Sequence, residues 1–211
     1  MVNIISFPDF GCGGLFCTLF NGQTAEWSEK SPATLNNKEH SMLKCFANYR
    51  NNWSYDVDKF NSQYNKCQQQ FDGKFCGTHV PLQRLKLPDS AGKLIQITTE
   101  TLSSRMLLWL RAHHIVYLPK HPIENVIKQR EFSKDFINMV VKPYHGAINI
   151  ELGNYFYDKN YRQKVHHIYN LRFDQQIFDQ WISVNKYILD LRKTNIAVKV
   201  FLDNLLDSPY C

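Results

Sequence analysis

The chain has 211 residues and a formal net charge of +6, with 44% hydrophobic and 21% charged residues. These values exclude disorder as the default and supply enough chain for one sizeable core. The basic residues are scattered, which suits an anionic ligand and argues against a nucleic-acid partner.

No run is long and apolar enough to span a bilayer, and Met1 to Pro8 lacks the basic start of a signal peptide. A chain with no membrane partner is therefore expected. The cysteines, Cys12, Cys17, Cys45, Cys67, Cys76 and Cys211, include no C-x-x-C pair. Neither they nor the histidine pairs His113-His114 and His166-His167 have metal-ligand spacing. A reduced, cytoplasmic protein without a metal is the expectation.

Ile4 and Ile5 are β-branched and predict a short buried strand, ended by Phe7-Pro8 because proline cannot donate to a sheet ladder. Gly11, Gly13 and Gly14 follow and allow a sharp turn. Leu15, Phe16, Leu19 and Phe20 then have helical spacing up to the stop signal Asn21-Gly22. Strand, glycine loop and helix can form a phosphate cradle, because loop amides and a helix N-terminus both present positive charge to an anion. The same pattern also describes a tight turn whose glycines serve packing alone. No G-x-x-x-x-G-K-[ST] and no G-x-G-x-x-G is present.

Residues 23–75 are polar and predict a helical insertion. One helix is expected from Asn37 to Tyr49, with Met42, Phe46 and Tyr49 on one face. A second, capped by Ser54, carries Val57, Phe60, Tyr64, Cys67 and Phe71 and closes at Asp72-Gly73. Lys74 to His79 reads as a strand entering a turn, and Val80-Pro81-Leu82 as a brief helical piece. Lys93 to Thr98 is the clearest later strand, followed by a helix capped by Ser103 or Ser104. Ile115 to Leu118 fits strand or helix. Ile123 to Val141 predicts a helix, Ala147 to Leu152 a strand, and the chain from Asn160 onward is largely helical. The expected architecture is a single α/β domain over 1–211, with a mostly parallel sheet and helices on both faces.

Three segments resemble the sulfotransferase family, which shares the P-loop NTPase type of fold. Ser6 to Leu15, with Phe7-Pro8 and the following glycines, resembles the family's 5′-phosphosulfate loop, F-P-[KR]-S-G-T-[TS]-x-L. Gly77-Thr78-His79-Val80-Pro81-Leu82 resembles its K-T-H-L-P segment. Asn149 to Leu152, with Trp181 and Asn185 beyond it, resembles the late strand and helical tail. Order and spacing fit from residue 3 to about residue 190, and the length is that of a small viral or bacterial member.

The resemblance implies 3′-phosphoadenosine-5′-phosphosulfate as co-substrate and a small-molecule or glycan acceptor. Amides of Gly11, Cys12, Gly13, Gly14 and Leu15 would hold the phosphosulfate. His79 would take the acceptor's proton, since imidazole titrates near neutrality. Ser104 and Arg105 would contact the 3′-phosphate.

The chain also departs from that pattern. Asp9 stands where the loop has Lys or Arg, Gly77 replaces the Lys before Thr-His, and the arginine of the 3′-phosphate segment is missing from Ile97 to Arg105. Arg192-Lys193 lacks the glycines of the family's C-terminal motif. Lys74 or Lys93 would have to restore the lost positive charge. Two alternatives therefore stand beside the enzyme. His79 could be a turn histidine bonded to local backbone, and the protein could be a non-catalytic nucleotide- or protein-binding module. A kinase-like phosphotransferase is disfavoured by the missing Gly-Lys-Ser/Thr.

Overall fold

The computed structural model describes residues 1–8, 12–23, 26–28, 31–36, 43, 46–48, 54–101, 103–105, 107–108 and 140–185. Its centre is a four-stranded sheet made of β1 (Asn3–Ser6), β6 (Phe75–Thr78), β7 (Leu94–Thr98) and β8 (Ile148–Glu151). The spatial order is β6-β1-β7-β8, and every pairing is parallel. Ile5 faces Gly77 on one side and Ile95 on the other, while Thr98 pairs with Glu151.

A parallel sheet needs cover on both faces, and consecutive residues supply it. Ile4 and Cys76 enter one core with Phe60, Tyr64 and Cys67 of α2 (Val57–Gln70). Ile5, Phe75 and Ile95 enter the other, with α1 (Gly13–Asn21), α3 (Leu152–Tyr157), α4 (Lys159–Ile168) and α5 (Gln175–Val184). The expected α/β class, with helices on both faces of a parallel sheet, is observed.

The second core is dense in rings. Phe156 stacks on Trp181 at 4.7 Å between centroids, and Phe16 lies 4.9 Å from Tyr155. Such pairs each add about 0.5–1.5 kcal/mol beyond the area they bury. His166 is set into this cluster, with Nε2 2.8 Å from the Tyr155 hydroxyl and Nδ1 3.1 Å from the Leu171 carbonyl. A carbonyl only accepts, so Nδ1 carries the proton and Nε2 accepts from Tyr155.

The insertion differs from expectation. Phe46–Asn48 is a strand, β4, paired antiparallel with β5 (Ser54–Tyr55), in place of the end of the helix expected over 37–49. A second antiparallel pair, β2 (Glu26–Ser28) with β3 (Ser31–Asn36), precedes it. Helical spacing of three aromatic or apolar residues did not outweigh strand pairing here. Asp56, not Ser54, caps α2, accepting the Lys59 amide at 2.9 Å. Val140 and Val141 are not helical, and the rest of the helix expected at 123–141 lies outside the described residues, as do Ile115 to Leu118 and Arg192-Lys193. Among the described residues no helix is long and apolar enough to cross a membrane.

Candidate functional site

In a parallel sheet all carboxyl ends share one edge. The chain after β1 runs to β6 on one side, and β7 lies on the other side of β1. This is a topological switch point, where open α/β sheets leave a crevice for ligands. Cys12 to Leu15 follow β1, His79 follows β6, and Ser104 and Arg105 follow β7. The sequence-derived residues within the described set thus gather at one edge. Gly11 and Asp9 lie outside the described residues.

Two hydrogen bonds fasten the β1 and β6 exits together. The Phe7 amide donates to the Thr78 carbonyl at 3.0 Å, and the Ser6 hydroxyl donates to the Val80 carbonyl at 2.9 Å. His79 lies between these fixed points, its ring 4.7 Å from that of Phe7 and nearly perpendicular to it. Phe7 also explains Gly13. A Cβ on Gly13 would come within 2.2 Å of the Phe7 ring. One buried phenyl ring therefore touches both the histidine and the start of α1.

The loop is not turned by its described glycines. Gly13 and Gly14 are already helical, and the left-handed residue is Cys12, with φ 63° and ψ 26°. A side chain in that conformation costs about 1–2 kcal/mol. Cys12 makes no side-chain cap bond, so the first-turn amides of α1 have no side-chain acceptor from their cap residue. Cys12, Cys17, Cys67 and Cys76 are buried. Among the described residues no group of metal-ligating side chains forms.

Ser104 does not cap its helix either. Thr101 does, its hydroxyl accepting the Ser104 amide at 3.2 Å. Ser104 is fully buried, and its hydroxyl lies 2.7 Å from each Glu151 carboxylate oxygen. The same hydroxyl accepts the Gly153 amide, and Glu151 in turn accepts the Thr101 amide at 2.7 Å. Glu151 is the cap residue of α3 but makes no bond to its own helix. The two helix starts therefore cap each other across 50 residues of sequence. Gly153 permits the approach, since a Cβ there would meet Ser103 Oγ at 2.3 Å and the Ser104 amide at 2.8 Å. Sequence reading missed Glu151, and its only local signal was an acidic residue at the carboxyl end of a predicted strand.

Arg105 is the one basic candidate of that edge. Its guanidinium donates to the Glu100 carbonyl at 3.3 Å, and its buried Nε has no hydrogen-bond partner among the described residues. Lys74 and Lys93 cannot restore the missing charge. Each precedes its strand, so each sits at the amino edge, where their carbonyls accept the Asn3 and Ile4 amides. Strands of this length place that edge roughly 13–17 Å from the carboxyl ends. Lys93 Nζ instead donates to the Tyr169 carbonyl at 3.1 Å. Parallel order alone would have revealed this, because residues before a strand and after it face opposite edges. No protein-family model matches the sequence, and comparisons with curated proteins and with solved structures gave no significant match.

Proposed function

We propose that the carboxyl edge of the sheet binds the anionic end of a nucleotide-type donor, and that the protein is a sulfotransferase-like transferase. The observation that carries this reading is the single Phe7 ring between the N-terminus of α1 and His79. It links an imidazole to the first turn of α1, whose backbone N–H groups take no side-chain cap bond from Cys12. The amides of Cys12 to Leu15 hold the phosphosulfate of 3′-phosphoadenosine-5′-phosphosulfate. The acceptor's hydroxyl oxygen, or an amine nitrogen, attacks sulfur and His79 takes its proton. The bond from sulfur to the bridging phosphate oxygen breaks, and 3′-phosphoadenosine-5′-phosphate leaves with that electron pair.

The placement of Lys74 and Lys93 at the opposite edge favours a second reading, a binding module without catalysis. Loss of cationic support for the leaving group costs orders of magnitude in rate. Calorimetric titration with 3′-phosphoadenosine-5′-phosphate, with ATP as comparison, tests the site. Micromolar affinity selective over ATP supports the nucleotide site, and loss of turnover in His79→Ala then supports the transferase. No heat and no thermal stabilisation up to millimolar ligand rejects both nucleotide readings.

A further inference from the structure

Glu151 points to a ligand held by one anionic end only. This inference rests on the nucleotide reading above and narrows its ligand class. The resemblance places a second anion, the 3′-phosphate, at Ser104 and Arg105. The Ser104 hydroxyl is 2.7 Å from both oxygens of Glu151 and also accepts the Gly153 amide. The neighbouring Thr101 amide donates to the same carboxylate. The donors that a phosphate would need at this helix start are already turned to an anion of the chain itself.

We propose that Glu151 is a specificity-determining residue that fills the second anion seat and selects against a 3′-phosphate. An arriving phosphate would have to displace the carboxylate from two donors, the Ser104 hydroxyl and the Thr101 amide, and then sit beside it as a like charge. Arg105, adjacent to Ser104 in the chain, donates to the Glu100 carbonyl at 3.3 Å. The start of α1, where Cys12 makes no side-chain cap bond, is the anion seat that the nucleotide reading keeps. The preferred class is a nucleotide carrying its phosphate or phosphosulfate at the 5′ end and a plain 3′-hydroxyl.

The test compares adenosine 5′-phosphate with 3′-phosphoadenosine-5′-phosphate by calorimetry, on the full chain and on Glu151→Gln. The amide keeps the shape and still accepts from Thr101, but removes the charge. The expected result is about tenfold tighter binding of adenosine 5′-phosphate than of the bisphosphate by the full chain, and affinities within about threefold of each other in the variant. Equal affinities or a preference for the bisphosphate in the full chain, or an unchanged ratio in the variant, overturns the role of Glu151 and leaves the nucleotide site standing. Binding of neither probe to either protein overturns the nucleotide reading and this inference with it. The ratio in the full chain decides the matter if the variant does not fold.

Discussion

Phe7 and His79 meet edge to face, with ring centroids 4.7 Å apart and planes at 79°. The contact joins the exits of two neighbouring parallel strands, flanked by the Phe7 amide bond to the Thr78 carbonyl and the Ser6 hydroxyl bond to the Val80 carbonyl. Phe7→Leu should keep most of the buried volume but lose the aromatic pair, at a cost of about 0.5–1.5 kcal/mol. Phe7→Ala should cost about 3–5 kcal/mol. Urea unfolding measures both, and the ring-proton shifts of His79 should move in the leucine variant. Unmoved His79 resonances would mean that Phe7 does not position the histidine.

Gly13 tests the same ring from the other side. Gly13→Ala places a methyl group within 2.2 Å of Phe7. Helix propensity alone would favour alanine by about 1 kcal/mol. Overpacking against a fully buried ring should outweigh that gain, for a net loss of about 1–3 kcal/mol. A more stable Gly13→Ala protein would show that the ring gives way freely.

His166 should make the fold sensitive to acid. Burial, the largest cause, holds its imidazole below the usual histidine value, with nearby Arg162 acting in the same direction, while backbone hydrogen bonds at Leu171 and Arg172 oppose the shift. A histidine depressed in the folded state binds its proton more readily when unfolded. Its contribution is therefore complete above the unfolded value near pH 6.5 and is lost as pH falls from there through the lower folded value. Melting temperature should drop as pH falls below about 6.5, and His166→Gln should flatten that limb. An identical acid limb in the variant would assign it to other groups. Burial also pushes the Tyr155 phenol up, so Tyr155 stays a hydrogen-bond donor throughout this range.

Lys93→Ala and Lys74→Ala offer a test of the edge assignment. Both residues stand at the amino ends of their strands. Neither substitution should change nucleotide affinity by more than about twofold, and stability should change by no more than about 0.5 kcal/mol. A tenfold loss of affinity in either variant would return that lysine to the ligand.

Asp56→Ala should remove the cap of α2, whose Lys59 amide would lose its acceptor. The expected cost is about 1 kcal/mol by thermal or urea unfolding, against less for Ser54→Ala. Equal costs would restore Ser54 as the cap.

Two of the sheet strands, around Ile4-Ile5 and Leu94 to Thr98, were legible as short runs of mostly buried residues rich in β-branched side chains. Strand content in the insertion was not, since Phe46–Asn48 and Ser54–Tyr55 have too few residues to display an alternation. The helix after β1 was legible, but among the described residues at its start the left-handed position falls on Cys12. Composition points to glycine at a left-handed position, whereas Cys12 occupies it and Gly13 answers to a phenyl ring. The bond between Ser104 and Glu151 crosses 47 residues and leaves no mark in local sequence. What a hydroxyl faces is decided by which strands become neighbours.

The same neighbourhood gives the chain a place to change length. Thr99 grips Val141 twice, its amide donating to the Val141 carbonyl at 3.0 Å and its hydroxyl accepting the Val141 amide at 2.9 Å. Entry to and return from the span between β7 and β8 thus pass through one clasp, beside strands already registered residue for residue. The entropy of closing such a span grows only with the logarithm of its length. Lineages could lengthen or shorten the chain between these two points, and so refit whatever it meets, while the sheet edge that carries Glu151 keeps its geometry.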